Sequence, residues 1–254
     1  MPLLRVERVS KRFGGLDALK DVSFSVHEGQ IKALIGPNGA GKTTLFNLVA
    51  GAEKPTEGRV YLDDVDLGGR SPHEICRRGV GRTFQHSLIF EDMSLLENVE
   101  VGRYSRTRAG VLSAVLTLPR HRQEESASAK LALEALRRAG LDDKAAEMAG
   151  NLPVGERHLV EIARTLVSEP KLLILDEPAA GLNDDETARL SDTVRRIRAE
   201  GVTVLLVEHD MSFVMEISDE VVVLDYGRKI AEGPPLLIQE NEEVIRAYLG
   251  EELS

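Results

Sequence analysis

The stretch Gly36-Pro37-Asn38-Gly39-Ala40-Gly41-Lys42-Thr43-Thr44 constrains this chain more than any other. It has the form G-x-x-x-x-G-K-T, the phosphate-binding loop, and its flanks are those the motif requires. Ile31-Lys32-Ala33-Leu34-Ile35 before it is an apolar run of strand length. Leu45-Phe46-Asn47-Leu48-Val49-Ala50 after it reads as a helix that stops at Gly51. Glycines let backbone N–H groups turn inward around an anion, and the helix N-terminus adds partial positive charge. Lys42 then reaches the β- and γ-phosphates, and the Thr43 hydroxyl holds Mg²⁺. A glycine turn that binds nothing would need neither the Lys-Thr pair nor the strand–loop–helix order. A nucleotide site is expected; the loop alone does not say what the nucleotide drives.

The 254 residues are enough to bury a full core, as one large domain or a domain with a lobe. A net charge of -10 argues against nucleic acid as a partner, because phosphate backbones favour basic faces. Tryptophan is absent and aromatics make up 4%, so single strands find no stacking platform. One cysteine, Cys76, allows no internal disulfide and suits a reducing compartment. The Met-Pro-Leu-Leu-Arg start carries no long apolar stretch, so no signal peptide is expected. No run approaches the roughly 20 apolar residues that span a bilayer. The chain is expected to be soluble, or held at a membrane through other proteins.

Residues 3–31 alternate in strand fashion through Leu4, Val6, Val9, Leu19, Val22, Phe24 and Val26, which predicts an antiparallel sheet ahead of the loop. Phe13 is either a core residue of a short strand or an adenine platform, and by itself it favours the former. Arg59-Val60-Tyr61-Leu62 and Gly79–Phe84 read as further strands, the second running out at Gln85, a candidate metal or water contact. Residues 95–168 look helical, with a basic, apolar-faced piece at 103–122. Leu172-Leu173-Ile174-Leu175 is a buried strand that ends in Asp176-Glu177-Pro178. Two acids at the carboxyl end of such a strand are costly unless they meet positive charge, and that edge is where α/β sheets bind ligands. Asp176 can support the metal held by Thr43, and Glu177 can polarise an attacking water. Of six histidines, only His209 stands at the carboxyl end of a core strand, Val202–Val207. Val221–Leu224, a turn at 225–228 and Lys229–Ala231 form a hairpin, and Val244, Ile245, Tyr248 and Leu249 mark a docked helical tail.

Gly36–Thr43, Gln85, the Leu152–Glu156 segment, Leu172–Glu177 and His209 together resemble the ATP-binding-cassette (ABC) ATPases, over nearly the whole chain. The resemblance implies an α/β fold: a P-loop NTPase (RecA-like) core with an N-terminal antiparallel β-subdomain and an inserted α-helical subdomain. It implies an ATPase domain over 1–237, its helical subdomain at about 88–165, and a C-terminal helical tail over 238–254. ATP and Mg²⁺ are implied as ligands. The loop Gly36, Pro37, Asn38, Gly39, Ala40, Gly41, Lys42, Thr43 and Thr44 would bind nucleotide, with Phe13 as its adenine platform. Thr43, Gln85 and Asp176 would serve the metal; Glu177, His209 and Gln85 would serve catalysis.

In this family two cassettes close head to tail, and a Leu-Ser-Gly-Gly-Gln signature caps the partner's nucleotide. Here the signature is Leu152-Pro153-Val154-Gly155-Glu156. Pro153 offers neither a hydroxyl nor an N–H, which leaves Gly155 and Glu156 as the contacts, the latter placing a negative charge near an anion. A different second ABC ATPase subunit, giving a heterodimer rather than a homodimer, is therefore the expected partner. Lys11–Gly15, Arg82–Gln85, the 103–122 piece and the ending Glu243–Gly250 resemble the ATPases of branched-chain amino-acid importers. That implies a pair of integral-membrane permease subunits, with the stretch from Ser87 to Asn98 docking on them. It also implies a periplasmic or extracellular solute-binding protein acting indirectly, and a peripheral place on the cytoplasmic face of the cell (inner) membrane. Lipopolysaccharide-export ATPases, a soluble cassette ATPase outside transport, and a regulatory subunit with little turnover are the alternatives.

Overall fold

The computed structural model describes residues 1–83, 89–103 and 119–249, apart from the side chains of 119–126. The antiparallel sheet expected ahead of the phosphate loop is present. β1 (Pro2–Phe13) and β2 (Leu16–His27) form a hairpin about Gly14-Gly15; β4 (Glu57–Leu62) pairs with β1, and β5 (Val65–Asp66) with β4. Shifts of register along β1 bring Arg8 to a φ of 47°, a bulge that adds twist and curls the sheet.

The second sheet has the order β10-β9-β3-β8-β7-β6. Its strands are β3 (Ile31–Ile35), β6 (Val80–Arg82), β7 (Leu172–Asp176), β8 (Thr203–Val207), β9 (Glu220–Asp225) and β10 (Arg228–Gly233). All neighbours pair in parallel except the β9–β10 hairpin. Every residue of β3, β7 and β8 is buried, as expected for a parallel sheet covered on both faces.

The period of two in these strands feeds two separate cores. Ile31, Ala33 and Ile35 of β3, Leu173 and Leu175 of β7, and Val204 and Leu206 of β8 face the helices. Leu34, Leu172, Ile174 and Leu205 face the antiparallel sheet and α1 (Lys42–Val49), whose Leu45 and Phe46 are fully buried. α1 is thus clamped between the two sheets, and so is the loop that precedes it.

The remaining helices are α2 (Pro72–Arg77), α3 (Leu95–Val101), α4 (Pro119–Ala139), α5 (Val154–Leu166), α6 (Asp184–Ala199), α7 (Met211–Ile217), α8 (Pro235–Gln239) and α9 (Glu242–Leu249). α3, α4 and α5 pack together through Leu95, Val99, Ala132, Leu136, Leu159 and Ala163. The helical reading of 95–168 is interrupted where Gly140, at φ 75°, ends α4. Two short 3-10 turns, Asp142–Lys144 and Ala149–Asn151, follow before Pro153 opens α5. The 103–122 piece lies almost wholly outside the described residues. The tail is anchored by buried Val244 and partly buried Tyr248, while Ile245 and Leu249 face outward. Among the described residues no helix is long and apolar enough to cross a membrane.

Candidate nucleotide site

β3 delivers the loop Gly36–Gly41 to the start of α1, and close backbone packing dictates two of its glycines. A Cβ on Gly36, at φ 149°, would sit 2.1 Å from the Leu224 carbonyl oxygen; one on Gly41, at φ 102°, would sit 2.6 Å from that of Ala18. No side chain caps α1, so its N-terminal N–H groups are left to whatever the loop encloses. Lys42 is buried, and its ammonium donates to the carbonyls of Gly36 at 2.5 Å and Pro37 at 2.8 Å. This cradle, a helix start lined with glycine backbone and one buried cation, fits a polyphosphate.

The loop forms one wall of an open cleft of about 560 Å³. Asn38, Gly39, Ala40, Gly41, Lys42, Thr43 and Thr44 line it with Phe13, Glu177 and His209, so one concavity gathers most of the residues singled out by sequence. The Phe13 ring is 44% exposed at the mouth, with Lys11 Nζ 4.6 Å from its centroid. Phe13 is therefore not a core residue, and it stands in the wall of the cleft with Lys11 over its ring.

The carboxyl ends of β7 and β8 carry the acids and the histidine. Glu177 takes φ 49°, and its N–H donates to the Val207 carbonyl at 2.9 Å. That bond ties the end of β7 to the end of β8, and Glu177 Oε1 stands 3.0 Å from His209 Nε2. Asp176 is buried; its Oδ2 accepts from Arg82 Nη2 at 2.9 Å, and Arg82 Nη1 donates to Asn47 of α1 at 2.8 Å. The acid that ends β7 therefore does meet positive charge, supplied by Arg82 on β6 of the same sheet. The Thr43 hydroxyl and the Asp176 carboxylate are hard oxygen donors of the kind Mg²⁺ takes. Gln85 lies outside the described residues.

Two side chains that position this machinery were not singled out in the sequence. In the sequence Arg82 belongs to a strand and to the Arg82–Gln85 stretch of the family resemblance, with no partner assigned, although a cation in a core strand signals a buried acid nearby. Glu208 follows the apolar run Val202–Val207, where an acid is ordinarily solvated. It is buried instead, accepting N–H groups from Ala179 at 2.7 Å, His209 at 3.0 Å and Asp210 at 3.4 Å. Burial pushes its carboxyl above the ordinary glutamate range despite those bonds. Asp210 caps α7, and hydrogen bonds led by the Ser212 hydroxyl hold its carboxyl below the ordinary range.

Gly155 and Glu156 do not line this cleft. They form the first turn of α5, where the Gly155 N–H donates to Glu186 Oε1 at 3.3 Å. Glu186 also closes a capping box with Asn183 at the start of α6, so the two helix starts share one carboxylate. The Glu156 carboxylate is occupied by Lys144 Nζ, at 2.6 and 2.7 Å from its two oxygens. Its charge is compensated inside the helical lobe, which relieves the expected conflict with an anion.

Comparison with known proteins fixes the setting. A family model described as ABC transporter matches residues 19–180. The chain belongs to the ABC transporter family. A second model, described as branched-chain amino acid ATP-binding cassette transporter, matches residues 228–254 of this cassette. The cassette is 45% identical to the high-affinity branched-chain amino acid transport ATP-binding protein LivG of Salmonella typhimurium, covering 98% of each chain. It is 43% identical, with the same coverage, to the corresponding protein BraF of Pseudomonas aeruginosa. Among solved structures, an ABC transporter cassette in its ADP conformation aligns with a TM-score of 0.86 at 32% identity, covering 98% of this chain and 99% of that one. A dimeric cassette in a post-hydrolysis state, bound to ADP and Pi, aligns at 0.74 and 26% identity, covering 91% and 98%. The cassette is an ABC ATPase, and the expected P-loop core with its antiparallel subdomain is its fold.

Proposed function

We propose that this cassette hydrolyses ATP to ADP and phosphate to power import of branched-chain or other hydrophobic amino acids through a permease pair, from the cytoplasmic face of the membrane. The single observation that carries the chemistry is the convergence of the phosphate loop, Glu177 and His209 on one cleft. The solute class rests on the LivG and BraF relatives, which match along almost the whole length.

Lys42 and the loop N–H groups neutralise the β- and γ-phosphates, and Phe13 stacks on the adenine. Glu177, oriented by the strand-to-strand bond to Val207, takes the proton of the attacking water. His209, 3.0 Å from Glu177, holds that carboxylate and senses the γ-phosphate. Thr43, Asp176 and Gln85 would hold Mg²⁺, which when bound would neutralise charge on the transferred phosphoryl group. The 1–237 region acts as the ATPase domain, with the helical piece at about 88–165 as its permease-facing lobe and 238–254 as a tail.

The cleft is only half of a hydrolytic site, because Gly155 and Glu156 sit outside it. A second cassette completes it, and Pro153 favours a different subunit over a copy of this chain. A solute-binding protein delivers the amino acid from outside. In the reconstituted transporter with internal ATP, Glu177→Gln in this chain should retain nucleotide binding and abolish leucine uptake. The matching substitution in the partner should leave measurable turnover. Loss of all turnover from the partner's substitution alone would reverse the asymmetry, and leucine export would overturn the import reading.

A further inference from the structure

Asp225-Tyr226-Gly227-Arg228 joins β9 to β10 as a two-residue hairpin loop, with Arg228 paired to Asp225. Both central residues have left-handed backbone, Tyr226 at φ 41° and Gly227 at φ 78°. Such loops favour Asn-Gly, Asp-Gly or Gly-Gly, because a side chain with a bulky Cβ crowds the following carbonyl there. Gly227 obeys the rule, and a Cβ on it would stand 2.7 Å from the Ala18 carbonyl oxygen. Tyr226 breaks it. Its side chain gains nothing by burial in return, since the residue is 81% exposed.

The turn is nevertheless held firmly beside the phosphate loop. The Gly227 N–H donates to the Ala40 carbonyl at 3.0 Å, and the Lys20 N–H donates to the Gly227 carbonyl at 2.7 Å. Tyr226 therefore lines the same 560 Å³ cleft as Phe13, Leu16 and Lys42. Strained, exposed backbone positions fixed by their neighbours are characteristic of ligand clamps.

We propose that Tyr226 is a nucleoside-contacting residue, its ring closing on the base and ribose of the nucleotide whose phosphates the loop holds. The assignment rests on the nucleotide reading of the cleft. Phosphates are matched by Lys42 and backbone N–H groups, whereas an uncharged ring matches the flat, apolar end of the ligand. The backbone strain at Tyr226 is retained because glycine or asparagine there would lose that contact.

The test compares the full-length chain with Tyr226→Gly and Tyr226→Asn, both of which suit left-handed backbone. Both variants should melt at higher temperature than the wild type yet bind ADP about ten-fold more weakly, the scale of one aromatic contact with a base. Inorganic tripolyphosphate, which lacks base and ribose, should bind all three equally. Tyr226→Trp introduces the sole tryptophan of the chain, and its emission should respond to ADP and not to tripolyphosphate. Unchanged ADP affinity in the glycine and asparagine variants overturns the proposal, as does equal loss of ADP and tripolyphosphate, which would place the effect in the phosphate loop. An effect confined to association with a second cassette overturns it in favour of a protein contact. If Lys42→Ala also leaves ADP binding intact, the nucleotide reading of the cleft fails instead.

Discussion

The Glu208 carboxylate, 3% exposed, accepts N–H groups from Ala179, His209 and Asp210 and so joins the segment after Glu177 to the turn that carries His209. Desolvation outweighs these bonds and raises the folded-state pKa above the unfolded one. For an acid, that means the folded state binds more protons, so stability falls as pH climbs from the unfolded pKa through the folded pKa. Below the unfolded value the penalty is absent. Glu208→Gln does not titrate, so unfolding of the two proteins at about pH 4.5 and 7.5 should show the wild type losing ground to the variant as pH rises. A wild-type advantage that grows with pH would mean that the hydrogen bonds, rather than burial, set the charge state. The variant also turns an amide N–H toward either the Ala179 N–H or the His209 and Asp210 N–H groups, since both carboxylate oxygens accept in the wild type. It should therefore lower turnover more than nucleotide affinity.

Lys32 plays an equivalent part among the elements. It lies on β3 and is 1% exposed, and its ammonium donates to the Ser25 carbonyl of β2 at 2.6 Å and to Glu232 of β10 at 2.6 Å. Glu220 of β9 stands 2.8 Å away, and bonding from Lys32 is the main reason its carboxyl lies below the ordinary range. One side chain thus staples the antiparallel sheet to the hairpin edge of the parallel one. Removing one member of a buried pair costs about 3–5 kcal/mol, and the partial exposure of both glutamates reduces that to about 2 for Lys32→Met. The depressed Glu220 pKa adds stability above the ordinary glutamate range that is lost on acidification, so the gap between wild type and Lys32→Met should narrow as pH falls through it. Chemical denaturation at neutral and acidic pH measures both. From sequence, Lys32 was only a polar interruption in an apolar strand. The phosphate loop, the acids after β7 and His209 were legible because each follows an apolar run at a strand end, a local pattern. Lys32, Arg82 and Glu208 were not: Lys32 and Arg82 meet partners on distant elements, and Glu208 is buried against the Ala179 segment beyond β7, so only the folded chain brings these groups together. Tyr226 escaped for another reason: a turn sequence states where the chain reverses, not which cleft its tip reaches.

At the scale of the whole molecule, Gly155 and Glu156 lie outside their own chain's cleft, and the proposed function makes hydrolysis a property of a pair. Each copy of this chain carries a formal charge of -10, and closing two copies face to face brings like charges together. Repulsion of that kind is felt over about 10 Å at 0.1 M salt and only about 3 Å at 1 M. ATP-driven self-association of the Glu177→Gln chain alone should therefore be weak at low ionic strength and strengthen with added salt. Association with a partner cassette whose facing surface is less acidic should be insensitive to salt or weaken with it. Sedimentation of each mixture with ATP across that salt range separates the two. Tight self-association of this chain at low salt would remove the electrostatic case for a different partner and leave Pro153 as its only support. Salt-strengthened self-association beside a salt-tolerant mixed pair would instead mean that whole-chain charge and the altered signature favour the same assembly, two unlike cassettes sharing the work of one site.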